Sequence, residues 1–205
     1  MKTGMRIATI TAAGTLVVWL LYGTIDRTVI RWMHRYRETP LHDVSAFVSE
    51  FGLIHWWLLA ALGLWLAAKY RLHDALLAAK ARFAFIAVAA SGIAVIPLKF
   101  LFGKARPDKL FDENLYGFQW FVSPSAYGLH GFPSGHTTTA FTVATVLALF
   151  YPRYAFLWYA GALLVGLSRI GVLYHYPSDV VAGAMLGTVL TLALSTTALF
   201  PKNNA

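Results

Sequence analysis

The chain has 205 residues, 58% of them hydrophobic and only 13% charged, with 17 Lys and Arg against 9 Asp and Glu for a formal charge of +8. This composition excludes an ordinary soluble domain and describes an integral membrane protein; the positive charge then points to anionic lipid headgroups or an anionic substrate, not to nucleic acid. Cysteine is absent, which excludes disulfides, thiolate catalysis and sulfur-rich metal sites.

In chain order, windows free of Asp, Glu, Lys and Arg cover residues 7–25, 51–68, 83–98, 137–152, 154–168 and 180–201. A helix needs about 20 residues to cross the hydrocarbon core, so the chain reads as all-α, an integral membrane bundle of about six transmembrane helices in a single domain over residues 1–205. Lys2 and Arg6 ahead of the first window imitate a secretory signal. The apolar run is long for one and no small-residue cleavage pattern follows Tyr22, so it is read as an uncleaved first span. Residues 26–40, DRTVIRWMHRYRETP, interleave Arg27, Arg31 and Arg35 with Trp32 at helical spacing, as an interfacial amphipathic segment does. A solvated basic loop is the alternative.

If the spans alternate, the end of the third, the start of the fourth, the end of the fifth and the start of the sixth share one side of the membrane. Four pieces meet there: Lys99 with KARP (104–107), PSGH (133–136), SR (168–169) and HYPSD (175–179). Taken singly, each has an ordinary explanation. Lys99 and Arg106 suit snorkelling anchors, Ser134 a helix cap, and His175 a structural loop residue. Arg169 is harder to place, because a cation after so apolar a run is costly unless paired or facing water.

Together they suit one anion. Lys99 and Arg106 are seven residues apart, so a third helix continuing that far would project both from nearly one face. With Arg169 they supply charge and a planar fork of donors, which match a phosphate better than a single carboxylate. Ser134, Gly135 and His136 open a helix, where free amides and the positive dipole end face an anion, and Gly135 lets the backbone approach closely. Of the two histidines, one can attack phosphorus while the other protonates the departing oxygen. Asp179, four residues after His175, is within reach of its second ring nitrogen and can fix the tautomer. Within these pieces only Asp108 and Asp179 are carboxylates, too few for a two-metal site, so neither a metal nor any other cofactor is expected.

Lys99-(six residues)-Arg106-Pro107, Pro133-Ser134-Gly135-His136, and Ser168-Arg169-(five residues)-His175-(three residues)-Asp179 together resemble the complete tripartite signature of the type 2 phosphatidic acid phosphatase superfamily. The resemblance covers residues 99–179 in motif detail and extends to the rest through the six-span layout. It implies that His175 is the nucleophile forming a phosphohistidine, supported by Asp179, and that His136 is the general acid. Lys99, Arg106, Ser134, Gly135 and Arg169 would hold the phosphoryl group. Soluble acid phosphatases and vanadium haloperoxidases share the superfamily but lack spans, so a membrane lipid phosphatase is the implied member.

The expected substrates are undecaprenyl pyrophosphate, phosphatidylglycerol phosphate or phosphatidic acid, with a lipid A phosphatase or a lipid-to-lipid phosphotransferase as the alternative. A non-enzymatic anion transporter is the rival class, but the first, second and sixth windows hold no charged pathway. No obligatory protein partner is inferred. Aromatics between Arg106 and Pro133, among them Phe118, Trp120, Phe121 and Tyr127, suit an interfacial lid, and His130 is close enough to PSGH to line the pocket. The GAMLG stretch (183–187) offers a small face for helix packing. Lys and Arg divide almost evenly between the two sides, with Lys2 and Lys202 on that of the termini. The resemblance implies a bacterial inner (plasma) membrane with the site facing the periplasm or exterior.

Overall fold

The computed structural model describes residues 2–201; Lys202, which enters the charge comparison, lies outside them. The chain runs through α1 (Lys2–Thr24), α2 (Asp26–Met33), α3 (Pro40–Glu50), α4 (Ile54–Tyr70), α5 (Ala75–Phe102), α6 (Pro107–Asp112), α7 (Gly135–Phe150), α8 (Ala155–Gly171) and α9 (Pro177–Leu194). Each apolar window carries one helix, so the all-α membrane bundle stands. Among the described residues, five stretches are long and apolar enough to cross a membrane, one of them α3 and α4 in succession over Pro40–Tyr70. The sixth, α7, has only 16 residues and is about 24 Å long.

The sixth window reaches residue 201, but its helix stops at Leu194. Thr196 and Thr197 turn their hydroxyls onto the carbonyls of Ala193 and Leu194, each at 2.7 Å, the local competition by which short polar side chains end a helix. The tail then lays Phe200 against Phe83, ring centroids 5.1 Å apart.

Helix α7 is the centre of the bundle. It packs against α5, α8 and α9, while α1 covers α9, α4 covers α5 and α3 covers α8. Its contact with α9 depends on the small face of GAMLG. A Cβ on Gly183 would lie 2.5 Å from the Ser134 carbonyl, and one on Gly187 would strike the Thr138 carbonyl and sit 2.9 Å from the Thr142 amide. The G-x-x-x-G pattern therefore serves packing within the chain, where bare backbone lets two helices approach.

Residues 26–33 are a helix with one face docked, which excludes the solvated-loop alternative. Ile30 and Met33 are buried with Leu110, Ile170, Tyr176 and Val180, while Arg27, Arg31 and Trp32 face outward. The aromatic segment after α6 folds back along the end of α5. The amides of Gln119, Trp120, Phe121 and Val122 donate to the carbonyls of Gly103, Phe102, Leu101 and Phe100 at 2.9–3.2 Å, supplying the acceptors that a helix end leaves open. Trp120 and Phe121 adopt φ of 53° and 51°, a left-handed backbone that bulky residues rarely take, and Phe121 is 81% exposed.

Candidate active site

The end of α5, the loops around residues 104–106 and 130–134, and the starts of α7 and α9 meet the end of α8 at one end of the bundle, together with the last turn of α3. The four pieces expected to converge do so. Arg106 does not continue α5, however. The helix closes at Phe102 with Gly103 in the left-handed conformation (φ 55°), and Arg106 stands extended just before α6. Lys99 and Arg106 meet by a different route: both side chains donate to the His130 carbonyl, Lys99 Nζ at 2.8 Å and Arg106 at 3.5 Å. The imidazole of His130 turns away to donate to the Ser123 carbonyl at 3.1 Å, so its main chain and not its ring orders the pocket.

The two guanidiniums are held by their faces. Arg106 lies over the Tyr127 ring at 4.1 Å and Arg169 over the Tyr174 ring at 4.7 Å, and Tyr174 also faces Arg106 at 5.7 Å. Arg169 donates to the Ser49 hydroxyl on α3. Both arginines are buried, yet the Nε of each has no partner. A buried cationic N–H without an acceptor is costly, so these two atoms are open to an anionic acceptor.

At the start of α7, Ser134 is fully buried but does not cap the helix. Its hydroxyl accepts from Thr137 at 2.9 Å, and its amide donates to the Asp179 carbonyl at 3.1 Å. The amides left without a backbone acceptor at the start of α7 include those of Gly135 and His136. The His136 ring is seated against Gly52, where an added Cβ would lie 2.7 Å from the His136 Cβ. His136 and Gly135 also border an apolar cavity of about 560 Å³ that runs down between α4 and α5 past Ile54, Gly92 and Ile96.

His175 is buried, in the turn between α8 and α9. Its Nδ1 bonds the Gly131 carbonyl at 2.8 Å. A carbonyl only accepts, so Nδ1 carries the proton and the Nε2 lone pair is free. Burial first, then the cations Lys99, Arg169 and Arg106, hold the imidazole well below its ordinary pKa and therefore neutral. Asp179 lies 3.6 Å from the same nitrogen, so the reach expected from the sequence exists, but the short bond belongs to Gly131. The Asp179 carboxylate instead accepts from the Tyr176 amide at 2.8 Å and from Lys104 at 2.7 Å.

Gly131, Ser49, Tyr174 and Asp26 are the residues that sequence reasoning missed, and it reads Lys104 only as a member of KARP. Only Gly131 left a signal, as a glycine just before PSGH. A Cβ there would lie 2.8 Å from the Lys104 carbonyl, to which the Gly131 amide itself donates.

The profile of the PAP2 superfamily matches residues 80–202. Over 110 residues the chain is 39% identical to a lipid A 1-phosphatase of Rhizobium johnstonii (strain DSM 114642 / LMG 32736 / 3841). The aligned part is 54% of this chain and 44% of that protein, so the match spans less than half the relative's length. Among solved structures, Aquifex aeolicus LpxE superposes with a TM-score of 0.64 at 22% identity, covering 85% of this chain and 96% of that one. A transmembrane PAP2 type phosphatidylglycerolphosphate phosphatase from Bacillus subtilis superposes with a TM-score of 0.56 at 19% identity, covering 90% and 94%. These two likenesses concern the fold.

Proposed function

Because the chain belongs to the PAP2 superfamily, we propose that it is a membrane lipid phosphatase that removes phosphate from a lipid phosphate or pyrophosphate through a phosphohistidine. The carrying observation is the pair of buried, unpartnered guanidinium Nε atoms of Arg106 and Arg169 beside a histidine whose Nδ1 is already bonded. Lys99, Arg106 and Arg169 receive the phosphoryl oxygens, with the Gly135 and His136 amides and Ser134 at the start of α7. His175 Nε2 forms a bond to phosphorus as the bond from phosphorus to the leaving oxygen breaks, and His136 gives that oxygen its proton. Water then attacks the phosphohistidine, returns a proton to His136 and frees inorganic phosphate and His175. Asp179 supports His175 through the backbone of its turn. The developing charge is met by fixed cations, with no cofactor in the scheme.

The cavity between α4 and α5 gives a lipid tail a place within the bundle while its headgroup meets the cations. Lipid A 1-phosphate is favoured as a substrate by the relative aligned over half of this chain. Undecaprenyl pyrophosphate, phosphatidylglycerol phosphate and phosphatidic acid complete the candidate set. A bacterial inner membrane with the site facing the periplasm or exterior accords with the bacterial sources of these relatives.

The test is phosphate release by the purified protein in detergent with EDTA, across those four lipids, wild type beside His175→Ala. Release by the wild type that disappears in the variant supports the scheme, and alkaline quenching of the wild type should trap a phosphoenzyme that is stable in base and lost in acid. Activity retained by His175→Ala, or a strict magnesium requirement, would defeat it.

A further inference from the structure

Lys104 is the fifth residue after Lys99 and has no part in the phosphate clamp. It is nevertheless wholly buried, and its ammonium makes three bonds: 3.0 Å to Asp26, 2.6 Å to the Ser178 hydroxyl and 2.7 Å to Asp179. Five aromatic rings surround it, those of Tyr22, Tyr116, Phe118, Phe132 and Tyr176, with centroids 4.8–5.9 Å from Nζ. Asp26 is equally buried and holds the start of α9 as well, accepting from the Ser178 amide at 2.9 Å and from the Ser178 hydroxyl. The Tyr116 hydroxyl, which donates to the Tyr22 carbonyl at 2.7 Å, lies 3.3 Å from Asp26. Every hydrogen of the ammonium is used, as a buried cation requires.

Two paths lead from Lys104 to His175. Through its side chain it fixes Asp179, whose other oxygen holds the Tyr176 amide and lies 3.6 Å from His175 Nδ1. Through its main chain its carbonyl takes the Gly131 amide at 2.8 Å, and the Gly131 carbonyl takes His175 Nδ1. The cluster also has a charge. One ammonium stands between two carboxylates, which leaves a net charge of −1 beside the imidazole. When Nε2 bonds to phosphorus while Nδ1 keeps its proton, the ring becomes cationic, and an adjacent buried negative charge favours that state.

We infer that Lys104 and Asp26 are positioning residues: with Asp179 they form a buried, singly negative cluster that presents His175 to phosphorus and stabilises the phosphohistidine. Neither reaches the phosphate. The inference rests on the reading of His175 as nucleophile and adds two residues from remote parts of the chain, one at the start of α2 and one after α5.

The experiment uses the full chain in detergent micelles and the candidate lipid that gives the highest turnover. Asp26→Asn keeps the shape of the side chain and makes the cluster neutral. Lys104→Met makes it doubly negative, and the double variant returns it to −1. For each, kcat, KM and the rate of phosphoenzyme formation in rapid-quench mixing are measured, with His175→Ala as control and thermal unfolding as a check of folding. The expected result is that Asp26→Asn lowers kcat and phosphoenzyme formation about 10- to 100-fold with KM within about twofold, the size of loss that small misplacement at a reacting group causes. Lys104→Met, where it folds, should lose at least as much, and the double variant should recover part of that loss. A folded Asp26→Asn with kcat near wild type overturns the inference, as does a fall confined to KM. If His175→Ala itself retains activity, the nucleophile reading fails first, and the two failures are told apart by that control.

Discussion

The single side chain of Arg169 meets three demands: a hydrogen bond to Ser49, a face on Tyr174, and an Nε left without a partner, which the proposed clamp fills. Only a planar guanidinium serves all three at once, since an ammonium has neither the face nor the fork. Arg169→Lys should therefore lower kcat/KM by about 100-fold, on the order of 3 kcal/mol of transition-state stabilisation, measured as steady-state phosphate release. Loss below about threefold would remove Arg169 from the clamp. His175 yields a second prediction at this scale. Its pKa lies below the ordinary value, so lowering the pH to 6, where a free histidine takes up a proton, should leave it neutral. In 15N-histidine NMR, with the signal assigned through His175→Gln, it should remain the Nδ1–H tautomer at pH 6. An imidazolium signal there would contradict the geometry.

Between elements, the tightest joint is that of α7 with α9, where Gly183 and Gly187 let backbone meet backbone. Gly187→Ala should cost about 1–3 kcal/mol through overpacking, seen as a lower thermal midpoint in detergent. Gly161→Ala is the matched control: a Cβ there meets nothing within 4 Å, so the midpoint should stay or rise. This level also shows where the sequence is legible and where it is not. The six helices follow from hydropathy, and the members of PSGH and HYPSD follow from spacing, because those side chains are close along the chain and share a local turn. Asp26 is 78 positions from Lys104 and 152 from Ser178, and Ser49 is 120 from Arg169. No periodicity relates such residues; only the packing of α2 and α3 against the later helices brings them in. Asp179 shows the same limit from the other side. Its spacing from His175 was readable, but its stronger bonds go to Lys104 and the Tyr176 amide, which a four-residue spacing does not reveal.

At the scale of the molecule, the bundle joins a cationic end to an apolar cavity that runs from His136 down between α4 and α5. The two parts should separate experimentally. Ile96, 53% exposed on the cavity wall, offers a place to narrow the channel without touching the cations. Ile96→Trp should raise KM for a long-chain lipid phosphate several-fold while leaving turnover of a short, water-soluble phosphate ester unchanged. Equal effects on both would mean that the cavity holds no tail.

The shortness of α7 bears on what the proposed activity would sense. A helix of 16 residues, about 24 Å, is shorter than a hydrocarbon core of about 30 Å, so α7 alone does not span it. On the proposed function, a lipid whose tail lies in the cavity between α4 and α5 reaches the cations from within its own leaflet. The quantity that governs the rate is then crowding in two dimensions. At fixed amounts of protein and lipid phosphate, adding inert detergent should slow the reaction in proportion to the falling mole fraction at the micelle surface, although nothing in the bulk solution has been diluted.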